Sequence, residues 1–159
     1  MAKLRSSGLL VYRHADDGVE VLLGHMGGPF WERKDLHAWS IPKGEQEPGE
    51  DPLAAARREF AEEIGQPPPA GEPLELGEVV QGGGRKVVTA FAVEGDLDVR
   101  EIVSTPFAME WPRGSGELRE FPEFDRAAWM PVDAARRRLI RAQAAFLDRL
   151  LERIGSSPQ

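Results

Sequence analysis

Three carboxylates at helical spacing, Glu59, Glu62 and Glu63, are the side chains best placed to do chemistry. At i, i+3 and i+4 they project from neighbouring faces of a helix. Like charges at that spacing cost a helix about 0.2–0.5 kcal/mol per pair. Arg58 reaches Glu62 at i, i+4, whereas Glu59 and Glu63 have no cation at helical spacing. Both also sit near the C-terminal end of the segment, where the macrodipole disfavours negative charge. Carboxylate oxygens concentrated without counter-charge suit a hard divalent cation. A solvated acidic face is the competing reading of the same three residues.

The element that must hold them is bounded by its own chemistry. Asp51 is a good helix N-cap, and Pro52 suits the first helical position. Gly65 supplies a left-handed stop, and Pro67, Pro68 and Pro69 forbid continuation. Between them Leu53, Ala56, Phe60 and Ile64 form one apolar stripe.

The wider stretch is Gly44, five residues, Glu50, seven residues, then Arg58-Glu59-Phe60-Ala61-Glu62-Glu63-Ile64-Gly65. It resembles the Nudix box, G-x5-E-x7-R-E-U-x-E-E-x-G-U with U bulky and apolar, the signature of the Nudix hydrolases. The one departure is Gln66 at the final apolar position, which touches packing after the helix and not the acidic cluster. Trp39-Ser40-Ile41-Pro42-Lys43-Gly44 is similar to the family's lysine-bearing approach to the box, as found in enzymes of dinucleoside polyphosphates and diphosphoinositol polyphosphates.

The resemblance implies an α+β fold, a mixed β-sheet between helices, over a single domain spanning 1–159. It implies metal ligation by Glu59, Glu62, Glu63 and the backbone carbonyl of Lys43, with Mg²⁺ or Mn²⁺ as cofactor. Arg58 would orient the cluster, with Glu50 as its partner. The implied reaction is attack of water on phosphorus in a nucleoside diphosphate linked to another moiety, so the partner is a small phosphoanhydride. Nucleoside and dinucleoside polyphosphates are the preferred substrates. The alternatives are a nucleotide sugar, an oxidised nucleotide, or a non-catalytic sensing module.

Other residues are candidates for the substrate and the proton. The Lys43 ammonium can meet a phosphate as a point charge. Phe30 and Trp31 follow Gly27-Gly28-Pro29 in a loop, where they either stack on a base or cap the core. Gly82-Gly83-Gly84 reads as a plain hairpin turn from which Arg85 or Lys86 could reach substrate. Metal-bound carboxylates make weak bases, so a further carboxylate is wanted. The acidic segment Glu117–Asp125 offers Glu117, Glu120 and Glu123. Glu120 is favoured as base by its placement before Pro122; Glu62 or Glu59 is the fallback.

Composition sets the outer limits. The chain has 159 residues, 41% hydrophobic and 30% charged, with net charge −7 and no cysteine. That profile excludes disulfides and thiol chemistry and argues against a general nucleic-acid or membrane-surface binder. A reducing cytoplasm is compatible with it and is the expected location. The apolar run 8–12 is too short for a signal core or membrane span. A homodimer is left open.

Strands are expected at 8–13, 19–25, 74–81, 86–93 and 127–130, with a further edge strand over 106–111. Helix is expected from Val132 onward, as one segment or two, with Val132, Ala135, Leu139, Ala142, Phe146, Leu150 and Ile154 on one stripe. Arg136, Arg137, Arg138 and Arg141 read as its solvated face. His14, His25 and His37 lack metal-ligand spacing and read as ordinary strand or loop residues.

Overall fold

The computed structural model describes residues 4–155. Its element order is β1 (Leu4–Ala15), β2 (Gly18–Met26), β3 (Trp39–Ser40), β4 (Lys43–Glu45), α1 (Pro52–Ile64), β5 (Leu74–Gln81), β6 (Lys86–Glu94), β7 (Pro106–Glu110), β8 (Leu118–Pro122), β9 (Phe124–Pro131), α2 (Val132–Arg138) and α3 (Ala144–Gly155), with a 3-10 turn at Arg141–Gln143. This is the expected α+β architecture, a mixed sheet with helices on both faces.

The centre of the sheet is a splay. β1 and β2 pair antiparallel only from Tyr12↔Val21 to Ala15↔Gly18. Beyond that they part, and the gap is filled by β3 against β2 at Gly24↔Ser40 and β4 against β1 from Ser6↔Glu45 to Gly8↔Lys43. These two short strands were not expected from the sequence, where the segment showed only its proline and glycine. Gln143 braces the wedge from the 3-10 turn before α3: its Oε1 accepts from Ile41 N at 3.0 Å and its Nε2 donates to Ser40 Oγ at 3.0 Å. β6 pairs parallel to β1 on its other edge, β5 follows antiparallel, and β9 flanks β2.

Alternation along the central strands sends one apolar set to each face. Leu9, Val11, Phe91 and Val93 pack with Phe60 and Ile64 of α1, whereas Leu10, Tyr12, Val88 and Ala90 pack with Phe146, Leu147 and Leu150 of α3. The C-terminal helical stripe is interrupted. Leu139 is extended (φ −66°, ψ 148°), and Ile140 donates its N–H to Trp39 O at 2.9 Å. Backbone pairing with the wedge thus replaces one helical turn.

The last strand runs over eight residues, Phe124–Pro131, rather than the expected four. The acidic segment before it is β8, which pairs antiparallel with β7 as a separate two-stranded hairpin. Among the described residues, no helix is long and apolar enough to cross a membrane.

Candidate active site

Helix α1 starts and stops as its sequence dictates. Asp51 accepts from Ala54 N at 3.1 Å, and Gly65 closes the helix at φ 81° with its N–H on Ala61 O at 2.8 Å. A side chain at Gly65 would be strained at that φ and would press on Val103 O. The following strap satisfies the exposed carbonyls: Val103 N donates to Ile64 O at 3.2 Å and Thr105 N to Glu62 O at 3.0 Å.

That strap builds the far wall of the site. Ser104 Oγ donates to Glu63 Oε2 at 3.3 Å and accepts from Phe124 N at 3.0 Å. Glu123 N donates to Thr105 O at 3.2 Å, and Glu123 O accepts from Gly27 N at 2.8 Å. These bonds hold the β8–β9 corner opposite the C-terminal half of α1. The result is a cleft of about 330 Å³ lined by Ser6, Lys43, Glu59, Glu63, Lys86 and Glu123, with Gly44 and Glu45 at its edge.

Gly44 is needed for close approach, since a Cβ there would overlap the Glu59 carboxylate. Beside it, Arg58 forms a hub. It holds Glu50 through Nε–Oε2 and Nη2–Oε1, each 2.9 Å, and donates to Glu59 Oε2 at 2.8 Å, Glu62 Oε2 at 3.2 Å and Glu45 O at 3.1 Å. The guanidinium holds the Glu50 carboxyl down at about 2, and its own pKa is raised, first by Glu50.

The expectation that Glu59 lacks a cation is therefore corrected. Its partner is its own sequence neighbour, because a long guanidinium can fold along the helix where a spacing rule does not look.

Glu59 and Glu63 are 9% and 6% exposed, which no solvated acidic face would be. Burial, then Glu123 and Glu59, pushes the Glu63 carboxyl up to about 8. Burial likewise raises Glu59 and Glu123. Loss of solvent lowers the Lys43 ammonium, an effect that Lys86 strengthens and the three glutamates oppose.

Among the described residues, no three His, Cys, Asp or Glu side chains converge tightly enough to hold a metal as they stand. Glu59 and Glu62 turn to Arg58, and Glu63 to Ser104. The donor chemistry still fits a hard cation: three buried or half-buried carboxyls in one cleft disfavour one another's charge, and a bound cation would relieve that.

Several expected site residues lie elsewhere. Glu62 is exposed and does not line the cleft. Glu120, favoured as base, is exposed on β8; Glu123 is the acidic-segment residue that enters the cleft. Arg85 stays in the β5–β6 turn, and Lys86, the first paired residue of β6, faces the cleft instead.

Trp31 packs against the core beneath α2 and α3, edge-on to Phe30 at 4.9 Å, and Lys34 Nζ covers Phe30 at 3.5 Å. Neither aromatic lines the cleft, and Phe30 remains 56% exposed. His25, read as ordinary, is fully buried, with Nδ1 3.0 Å from Asp125 Oδ1 and Nε2 2.6 Å from Lys34 O. Its partners lie 100 and 9 residues away, so spacing carried no signal for it.

Comparison with known proteins places the chain in a family. A curated RNA pyrophosphohydrolase of Bradyrhizobium diazoefficiens is 44% identical over 43 residues, 27% of this chain and 26% of that protein. The aligned part is therefore about a quarter of that relative's length. Among solved structures, a C. elegans Ap4A hydrolase binary complex superposes with TM-score 0.65 at 20% identity, covering 97% of this chain and 99% of that one. The NUDIX domain of Shewanella oneidensis NrtR complexed with ADP ribose superposes with TM-score 0.67 at 16% identity, covering 97% and 90%. At those identities the likeness is one of fold. The NUDIX domain model matches residues 3–152, nearly the whole chain, and the protein belongs to the Nudix family.

Proposed function

We propose that the protein is a divalent-cation-dependent pyrophosphohydrolase that opens a phosphoanhydride in a nucleoside diphosphate linked to another group, with nucleoside and dinucleoside polyphosphates preferred. One observation carries this reading: three carboxyls, Glu59, Glu63 and Glu123, share a cleft with two ammonium groups, Lys43 and Lys86. Glu59 and Glu63 would hold Mg²⁺ or Mn²⁺, with Glu62 available from the exposed side of the helix and the Lys43 carbonyl from β4. A bound cation would neutralise the diphosphate and make water a better nucleophile.

The chain's own groups supply the rest. Lys43 and Lys86 take phosphate oxygens as point charges, and two such charges suit a polyphosphate. Glu123, off the helix and half-buried, accepts the proton as water attacks phosphorus and the bridging oxygen leaves. Arg58 keeps Glu59 in place through their 2.8 Å bond and is itself fixed by Glu50.

Likeness to an Ap4A hydrolase supports dinucleoside polyphosphates; likeness to a NUDIX domain complexed with ADP ribose supports ADP-ribose as the rival substrate. The test is a panel of diphosphates with pure protein and Mg²⁺ or Mn²⁺. Diadenosine tetraphosphate is expected to turn over faster than ADP-ribose, with loss of activity on chelation. Preference for ADP-ribose would reverse the substrate order, and no turnover of any diphosphate would leave a sensing module.

A further inference from the structure

The β7–β8 hairpin makes a second pocket against the loop after β2. Its volume is about 300 Å³, at the small end of ligand sites, and Glu32, Trp111, Arg119, Phe121, Pro122 and Asp125 line it. The jaws meet closely. A Cβ on Gly28, at φ 96°, would lie 3.0 Å from Phe107 Cζ, and Phe107 and Phe121 pair with ring centroids 6.1 Å apart.

This pocket and the acidic cleft share a wall. Pro122 lines the one and its neighbour Glu123 lines the other. A molecule with its phosphates by Glu123 would need only to pass this residue pair to place its next group at the hairpin.

The chemistry of the lining selects that group. Trp111 and Phe121 are half-buried and offer ring faces. Among the described residues the Trp111 indole N–H and the Glu32 carboxylate have no hydrogen-bond partner, which leaves a donor and an acceptor at the pocket. Among the described residues the only ion pair of Arg119 is a long one, 3.5 Å to Glu117, so its guanidinium is available to lie on a ring. Flat faces, a cation and a free acceptor for an exocyclic amine together suit a nucleobase. Of the loop aromatics, Trp31 packs on the core, and Phe30, 56% exposed, carries Lys34 over its ring; neither lines this pocket.

We propose that this hairpin pocket binds the nucleobase of the substrate whose phosphates occupy the acidic cleft, with Trp111 as the stacking residue. The proposal rests on the pyrophosphohydrolase reading for its position next to the cleft, and its test separates the two. Equilibrium binding of AMP and of ribose 5-phosphate is measured by calorimetry for the wild type, Trp111→Ala, Trp111→Phe and Trp31→Ala. Hydrolysis of a nucleoside polyphosphate is followed in parallel.

Loss of one stacked base contact corresponds to about tenfold or more in affinity. Wild type is expected to favour AMP over ribose 5-phosphate by at least that factor. Trp111→Ala should erase the preference and raise KM with kcat little changed. Trp111→Phe should retain the preference, and so should Trp31→Ala. Circular dichroism checks that each variant folds. If Trp111→Ala keeps the preference, or the wild type has none, the pocket assignment is overturned while hydrolysis can stand. If no protein hydrolyses the substrate but the binding pattern holds, the activity reading falls and the pocket stands.

Discussion

Helices α1 and α3 press on opposite faces of one sheet, and they are built to opposite ends. α3 buries Phe146, Leu147 and Leu150, and its cations serve the sheet: Arg149 Nη1 donates to Leu76 O at 3.0 Å and Glu78 O at 2.8 Å. α1 buries Phe60 and Ile64 in the same way, yet takes Glu59 and Glu63 down with them. Burying a carboxyl without full charge pairing costs stability, and the neutral form is then favoured. α3 is organised to stabilise, whereas α1 gives up stability to keep ionisable oxygens in a confined cleft.

The largest contrast is expected from Glu63→Gln. It keeps the shape, removes a buried ionisable group, and should lower kcat about a hundredfold or more, beyond the loss typical of a residue outside the metal's immediate ligands. Thermal unfolding of the metal-free protein should show no loss of stability, since the replaced carboxyl was disfavoured as an anion. If kcat falls only in proportion to the unfolded fraction, α1 is a structural helix like α3 and the contrast is lost.

The mirror-image change is Phe146→Ala on α3. Removing a fully buried phenyl ring should cost about 3–5 kcal/mol by denaturant unfolding. Activity per folded molecule should stay close to wild type. A kcat deficit that survives correction for folding would make α3 part of the site.

A smaller effect sharpens where the site ends. Glu123→Gln should lower kcat by about tenfold to a hundredfold with the Mg²⁺ titration little moved, as for loss of general-base help. Glu120→Gln, exposed on β8, should match wild type. The reverse pattern would return the proton to the hairpin residue.

The smallest effect is a slope with pH. Folding raises Glu63 from the ordinary carboxyl range to about 8. Between those limits the folded state binds more protons than the unfolded one, so stability falls as pH rises through the window and levels off above about 8. Metal-free wild type should show that fall in thermal melts, and Glu63→Gln should flatten it. Phe146→Ala should keep the slope at lower stability. Adding Mg²⁺ should restore stability at the alkaline end, because a ligand of the folded state alone stabilises it. A Phe146→Ala slope that also flattens would mean that the titration does not belong to α1.

What the sequence determined by itself is what lies within a few residues of chain. The bounds of α1 were legible because Asp51, Pro52 and Gly65 act on adjacent backbone groups, and the apolar stripe because helical period is local. The Arg58–Glu50 pair was legible through the family motif. Tertiary structure decided which charged residues face the cleft. Glu120 and Glu123 look alike in sequence, but β8 carries Glu120 outward while the bonds to Gly27 and Thr105 turn Glu123 inward. Arg85 and Lys86 are neighbours, but pairing with Leu4 begins at Lys86 and leaves Arg85 in the turn. The wedge of β3 and β4 exists because β1 and β2 splay, and that depends on partners as distant as Gln143. Burial of Glu63 depends on the strap at Ser104, 41 residues away. Such contacts leave no period or spacing in the chain, because strand register and loop closure are set only when all the partners are in place.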